Sequence, residues 1–390
     1  MELNSSLHLA YCTNIHRGEG WQETFAALEK YVLGVKAKVA PASPYAIGLR
    51  LGQKAAEELW DPRQGNLNNF RHWLDKNNCY VFTINGFPYG SFHGERIKEQ
   101  VYRPDWTSPQ RLAYTKLLFD IIAELVPDGI SGSVSTLPGT FKEFITDDMA
   151  QGAAIIENLA ACGEHILNLA ERTGKDLHLG LEPEPLGWFE TSAETVAFFE
   201  RFRDTQGGRF DSVLGVNYDT CHLAVEFEEP TEAIGTMLAA GIRISKLHLS
   251  SALKLVPEPA VLATLEDFKE DVYLHQVVAR DCDGALRRYR DLPDALLAAR
   301  NQPDCAEEQW RVHFHIPLYS EPAGGLGDTR DHIEGVLDVL RDDPSICSHL
   351  EMETYTWEVL PEKLHCGDVV EQLSREYDWV LKRLSQRGLA

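Results

Sequence analysis

Short apolar runs alternate along the chain with longer stretches whose apolar residues recur every three to four positions, a strand-then-helix rhythm. The runs predict strands at residues 7–14, 45–51, 79–85, 129–136, 176–181, 212–218, 242–249 and 348–356. Helical spacing predicts helices at 21–35, at 53–73 with an interruption at Pro62, and up to 125 after Ser108-Pro109. Further helices are predicted at 149–172, 191–203, 230–240, 328–341 and 369–384. Ser108 and Pro109 supply an N-cap and a first-turn proline, and Gly174 a stop.

Between residues 253 and 328 the rhythm breaks. Residues 273–278 and 286–289 flank Asp281-Cys282-Asp283-Gly284, which reads as a β-hairpin around an Asp-Gly turn. A short helix at 291–300 and an extended run at 311–318 follow. Eight strand–helix units predict an α/β fold, a closed (β/α)8 TIM barrel spanning 1–390 as a single domain. The hairpin then belongs to an insertion, about 254–310, after strand 7. No Gly-rich phosphate loop follows the first strand, which argues against a dinucleotide fold.

Barrel enzymes carry their chemistry at the C-terminal ends of the strands. Glu182 stands there on the fifth predicted strand, Asp219 and His222 on the sixth, His248 on the seventh and Glu353 on the eighth. Burying these groups together costs heavily through like-charge repulsion and desolvation, and a divalent metal relieves that cost. Mixed oxygen and nitrogen ligands suit Mn, Co, Zn or Fe better than calcium. The plainer reading makes Asp219 the N-cap of the next helix and the histidines packed, hydrogen-bonded residues.

Strand parity puts Glu351 and Glu353 on one face of their strand, and likewise Lys246 and His248 on one face of theirs. Glu353 lies nearer the mouth, and Glu351, deeper, needs a partner such as Lys246. Glu184, between two prolines, reads as a loop carboxylate. His313 and His315 share a face of the run 311–318 and are expected to meet the pocket. His16, His93 and His275 lie in or just after strand-like runs that could reach it. His72, His165 and His332 fall on helix patterns and read as surface or packing residues.

The chain carries 60 acidic and 37 basic residues, a net charge of −23. Such a surface repels nucleic acid and anionic membranes, because a polyanion is bound through Lys and Arg. No apolar run approaches the length of a membrane span. The start Met1-Glu2-Leu3-Asn4-Ser5-Ser6 lacks a basic region and a long apolar run, so no signal peptide is expected. The eight cysteines form no Cys-x-x-Cys pair and read as reduced thiols of a cytoplasmic protein. A homo-oligomer is compatible with the sequence.

These residues resemble the xylose-isomerase-like TIM-barrel superfamily, the sugar phosphate isomerase/epimerase and endonuclease IV group. The resemblance implies metal ligation by Glu182, Asp219, His248 and Glu353, with His222 as the Asp-x-x-His partner. In finer texture the chain is similar to the metabolite-traffic EboE family. The stretches that carry this likeness are Tyr11-Cys12-Thr13-Asn14-Ile15-His16 and residues 181–185, 217–224, 273–277, 313–318 and 350–357. Endonuclease IV enzymes have Asp-x-His where this chain has His313-Phe314-His315, a departure from a full trinuclear zinc site. Together with the charge, it argues against DNA repair.

The implied function is metal-dependent isomerisation or epimerisation of a small polyhydroxy metabolite or secondary-metabolite precursor. Glu182 and Glu353 would serve as acid and base, with His222, His313, His315, His93, His16, Lys246 and His275 as substrate-binding candidates. The alternatives are a metal-containing metabolite carrier and a metal-dependent hydrolase.

Overall fold

The computed structural model describes residues 1–90, 97–301 and 309–390. His93 lies outside the described residues. The chain forms strands β1 (His8–Tyr11), β2 (Tyr45–Arg50), β3 (Cys79–Asn85), β4 (Gly132–Thr136), β5 (Leu177–Leu181), β6 (Leu214–Asp219) and β7 (Arg243–Leu249). Five shorter strands follow: β8 (Leu253–Leu255), β9 (Val277–Arg280), β10 (Leu286–Tyr289), β11 (Gln309–Val312) and β12 (Gly327–Asp328). The last is β13 (His349–Met352).

Eight strands pair in parallel in the order β1-β13-β7-β6-β5-β4-β3-β2. A parallel bridge between Cys12 and Gly48 draws the two edges together, so the sheet is a nearly closed barrel. Helices cover its outside, so the strands are buried on both faces and read as continuous apolar runs. This is the TIM-barrel architecture the alternation predicts.

Local chemistry sets the helix boundaries. Ser108 Oγ accepts from the Gln110 amide at the start of Pro109–Leu125, and Asp147 and Thr191 cap Asp148–Thr173 and Ser192–Gln206 in the same way. Gly174 ends its helix in the left-handed region at φ +69°. The first predicted helix is instead Trp21–Ala27 and Leu33–Val39 joined through a π-helical turn, Leu28–Val32. The predicted 53–73 helix divides into Gln53–Trp60 and Asn66–Lys76, with Pro62 in the break.

A second, antiparallel sheet lies in sequence between β7 and the helix Arg330–Asp342, in the order β10-β9-β11-β8-β12. The expected hairpin is β9–β10, with Leu286 opposite Arg280 and Gly284 at φ +83° in its turn. The sheet has its own apolar cluster, built from residues such as Leu253, Val277, Trp310, Val312 and Phe314. The run expected to stay extended through 318 leaves the sheet at Val312. His313 N turns to the Gln276 carbonyl and Phe314 N to that of Val312, so both histidines project from irregular backbone and not from a strand face. No helix among the described residues is long and apolar enough to cross a membrane.

The helix Val369–Gln386 closes the outer layer and buries Glu376. Thr354 Oγ1 and Gln372 Nε2 donate to its carboxyl at 2.8 and 3.0 Å. Burial nevertheless pushes Glu376 up to about 8. Its folded value exceeds its unfolded value, so the folded chain holds the extra proton, and stability falls as pH rises from about 4.5 to about 8. Glu376→Gln should remove that loss, gaining about 4 kcal/mol at pH 8 and little at pH 4.5. Denaturant melts at the two pH values check it. Parallel pH dependence in both proteins would refute the assignment.

Candidate metal centre at the barrel mouth

Four strands deliver one cluster. Glu182 follows β5, Asp219 ends β6, His248 is the penultimate residue of β7 and Glu353 follows β13. All four are buried, and their candidate ligand atoms lie within 4.8 Å of one another. The centre of the group is His248 Nδ1. Glu182 Oε1 and Glu353 Oε2 each stand 3.1 Å from it, and Asp219 Oδ2 stands 3.4 Å away.

Asp219 satisfies both readings of its sequence position. Its Oδ1 caps the short helix Thr220–Val225, accepting from the amides of Cys221 at 2.7 Å and His222 at 3.1 Å, and from Ser250 Oγ at 2.6 Å. Its Oδ2 has no hydrogen-bond partner, although it is buried and faces the cluster. A buried carboxylate oxygen left in that state costs about 1–3 kcal/mol or more. A cation removes the cost, so the donor set fits a divalent metal.

The layer beneath holds His248 in place. His248 Nε2 lies 2.8 Å from Glu351 Oε2, which also accepts from Lys246 Nζ at 2.6 Å. Lys246 donates a second bond to Ser135 Oγ at 2.9 Å. A carboxylate behind a ligating imidazole fixes the ring and raises its basicity. Gly48 makes room for Glu351, because a Cβ there would overlap a carboxylate oxygen. Deeper still, His178 bonds Ser245 and His349 bonds Ser133, and burial holds both rings far below the usual imidazole range.

The charges are mutually compensated. Burial disfavours charge on His248, yet Glu353 and Glu182 offset this and hold its proton well above the ordinary range. Burial likewise works against ionised Glu182, and the nearby His248 holds it below the usual carboxylate range. Asp219 is buried too, and His222 and His248 hold it well below. A proton at His248 Nδ1 therefore occupies the place a cation would take, and binding one would release the proton.

Three more imidazoles flank this cluster. Gln276 Nε2 donates to the Pro185 carbonyl at 3.0 Å, which turns Gln276 Oε1 toward His313 Nδ1 at 2.8 Å. His315 Nδ1 donates to the Glu353 carbonyl at 3.0 Å. Both Nδ1 protons are thus committed, and burial lowers both rings, so their Nε2 lone pairs face each other at 3.2 Å. His222 Nδ1 is buried without a hydrogen-bond partner. Asp219, His222 and His315 form a second set of convergent donors, and Cys221, His313 and His315 a third.

Above the cluster is a pocket whose free space, part of it open solvent, is about 590 Å³. Glu182, Glu353, His222 and His313 line it, and His315 stands behind His313. Lys246 is a full layer below, because its ammonium is drawn to Glu351 and Ser135. His275 is turned away between the His313 carbonyl and Glu270 Oε1, at 2.9 and 2.8 Å. His16 stacks on Tyr31 at 4.3 Å and meets Tyr11 Oη at 2.9 Å, off the pocket wall. His332 is a packing residue bonded to Tyr218 Oη at 2.9 Å.

Sequence reasoning missed several neighbours. Asn14 and Asn85 donate to Glu353 Oε1 at 2.7 and 3.2 Å. Both end strand-like runs, the position that drew attention to Glu182 and Asp219. Glu184 is not a solvated loop carboxylate: it is buried in the pocket wall beside Tyr102, with Oε1 unpartnered. Burial, then Glu182, pushes its carboxyl well above the usual range. Its neighbour Glu182 is pushed the other way, the pattern that separates acids from bases.

No known family model matches the chain, and no curated protein matches it in sequence. Solved structures share its fold at low identity. A xylose isomerase-like TIM barrel protein from Mycobacterium smegmatis, in complex with magnesium, is 14% identical over 98% of this chain and 97% of its own, with a TM-score of 0.52. A xylose isomerase domain protein from Planctomyces limnophilus is 13% identical over 97% and 96%, with a TM-score of 0.51. The D-psicose 3-epimerase of Clostridium cellulolyticum H10, solved with D-tagatose, is 12% identical over 98% and 100%, with a TM-score of 0.51. What these structures share with the chain is the TIM-barrel fold.

Proposed function

We propose that the protein is a metal-dependent isomerase or epimerase of a small hydroxy-carbonyl or polyhydroxy metabolite. The observation that carries this reading is the convergence of Glu182, Asp219, His248 and Glu353, with Asp219 Oδ2 buried and without a hydrogen bond. These four would hold a divalent ion, with Mn, Co, Zn or Fe suiting the mixed donors. When bound, such an ion supplies Lewis-acid polarisation of adjacent substrate oxygens. The magnesium in the M. smegmatis barrel and the epimerase chemistry of the C. cellulolyticum barrel support the reading. The finer likeness to the metabolite-traffic EboE family, with the second sheet as an insertion on the barrel, belongs to the same proposal.

The chain's own groups then divide the work. Glu353 is oriented by Asn14 and Asn85 through Oε1, which leaves Oε2 to face the pocket floor. Glu182 stands across His248 from it. A substrate carbon between the two can lose a proton to one carboxylate and regain it from the other. His313, with Nδ1 tied to Gln276 and Nε2 facing His315, forms part of the pocket wall against which a substrate would lie.

The test is solvent exchange. Metal-loaded protein in deuterated water should place carbon-bound deuterium next to a carbonyl in one of a panel of ketoses, polyols and hydroxy acids, read by NMR. Glu353→Gln, assayed at saturating metal so that weakened ligation is not the cause, should lose exchange by at least about 100-fold. Saturable binding with no label in any panel member would point to a carrier, and bond cleavage without label to a hydrolase.

A further inference from the structure

From the walls of this pocket we infer that its substrate is polar at one end only, an uncharged hydroxy-ketone or diol bearing an aryl or branched-alkyl group. The inference rests on the metal-site reading for the polar end alone.

The pocket has two unlike halves. Its floor is the carboxylate and imidazole cluster. Its upper wall is Phe87, Pro88, Ile97, Val101, Tyr273 and Leu274, side chains from the β3 loop, from the segment before Pro109 and from the segment before β9. Aromatic rings stand together here: Phe87 packs on Tyr102 with centroids 5.6 Å apart, and Tyr273 meets Tyr355 edge-on at 5.1 Å. The polar groups of this half are already used. Gln276 has both ends of its amide bonded, to His313 and to the Pro185 carbonyl. Tyr102 is engaged with Glu184.

A free sugar carries hydroxyls on every face. Against this wall several would be stripped of water without gaining a partner, at about 1–3 kcal/mol each. An apolar group gains there instead. A phosphate fares worse than a hydroxyl. Among the described residues the one Lys or Arg in the lining is Lys98, and its ammonium is bound to Asp291 Oδ2 at 2.7 Å and the Glu270 carbonyl at 3.1 Å. The acidic groups in the lining, Glu182, Glu184 and Glu353, are carboxyls and offer a dianion no positive charge.

Three probes of matched headgroup separate the classes: hydroxyacetone, 2-hydroxyacetophenone and dihydroxyacetone phosphate. Isothermal titration of the full-length protein, with and without added manganese, should rank 2-hydroxyacetophenone at least about ten-fold tighter than hydroxyacetone. The phosphate ester should bind no tighter than hydroxyacetone. Phe87→Ala and, independently, Val101→Ser should each erode the aryl advantage while leaving hydroxyacetone unchanged; both positions are half-buried, so each substitution leaves the barrel core intact. Tightest binding by the phosphate ester, equal binding of all three, or binding of none would overturn the inference. Aryl preference without deuterium exchange would retire the isomerase reading and leave the substrate class standing.

Discussion

Replacing Asp219 by asparagine is expected to leave the protein folded and stripped of metal. The asparagine keeps a carbonyl oxygen where Oδ1 now accepts from Cys221, His222 and Ser250. It replaces Oδ2, which has no hydrogen bond, with a donor that cannot ligate and carries no charge. Loss of a residue behind a ligand already costs about 10–100-fold in metal affinity, so loss of a ligand should cost at least about 100-fold. Asp219→Ala would lose the metal and, in addition, about 1–2 kcal/mol of stability, because the helix Thr220–Val225 loses its cap. Elemental analysis and thermal melts read the two effects apart. Wild-type protein should carry about one equivalent of a transition metal, and Asp219→Asn retaining that equivalent would sink the ligand set.

The largest effect on stability is expected one layer down, at Lys246 and Glu351. Both side chains are 0% exposed, and the pair is a 2.6 Å contact in the barrel interior. Burial works against the Lys246 ammonium, and Glu351 more than compensates, holding it above its ordinary value. Glu351 is held down to about 2, because Lys246 and His248 together outweigh burial. Lys246→Met alone, or Glu351→Met alone, strands a buried charge and should cost about 3–5 kcal/mol. The double variant strands none and should recover most of that loss. Its metal site should stay impaired by about 10–100-fold, because His248 Nε2 has lost the carboxylate that orients the ring. Chemical denaturation gives the stability cycle and metal titration the affinity. Additive stability losses would show that the two residues do not act as a pair.

Most of the architecture was legible from periodicity. A parallel strand covered on both faces must be apolar nearly throughout, and its covering helix must show a stripe, so the eight units appear as alternating patterns. Ends were less legible. The last barrel strand stops at Met352, not at residue 356, so Glu353 reaches the pocket from beyond the ladder. The antiparallel sheet beside the barrel was visible only as its hairpin and one extended run, because β8 and β12, three and two residues long, are too short to carry a period of their own.

For the site, the sequence by itself determined which residue types stand at strand ends, and with them the set Glu182, Asp219, His248 and Glu353. Strand direction sufficed, because a barrel brings all its C-terminal ends to one mouth. Only the tertiary structure decided the rest. It turned His16 and His275 toward local partners and sank Lys246 beneath the mouth. It carried His313 and His315 in from irregular backbone and converted Glu184 from a loop residue into a buried wall of the pocket. The physical reason is that side-chain direction off a strand or out of a turn depends on competing partners: Tyr31, Glu270, Glu351 and Gln276 are each distant in the chain or reached through irregular backbone, where no sequence period records who faces whom.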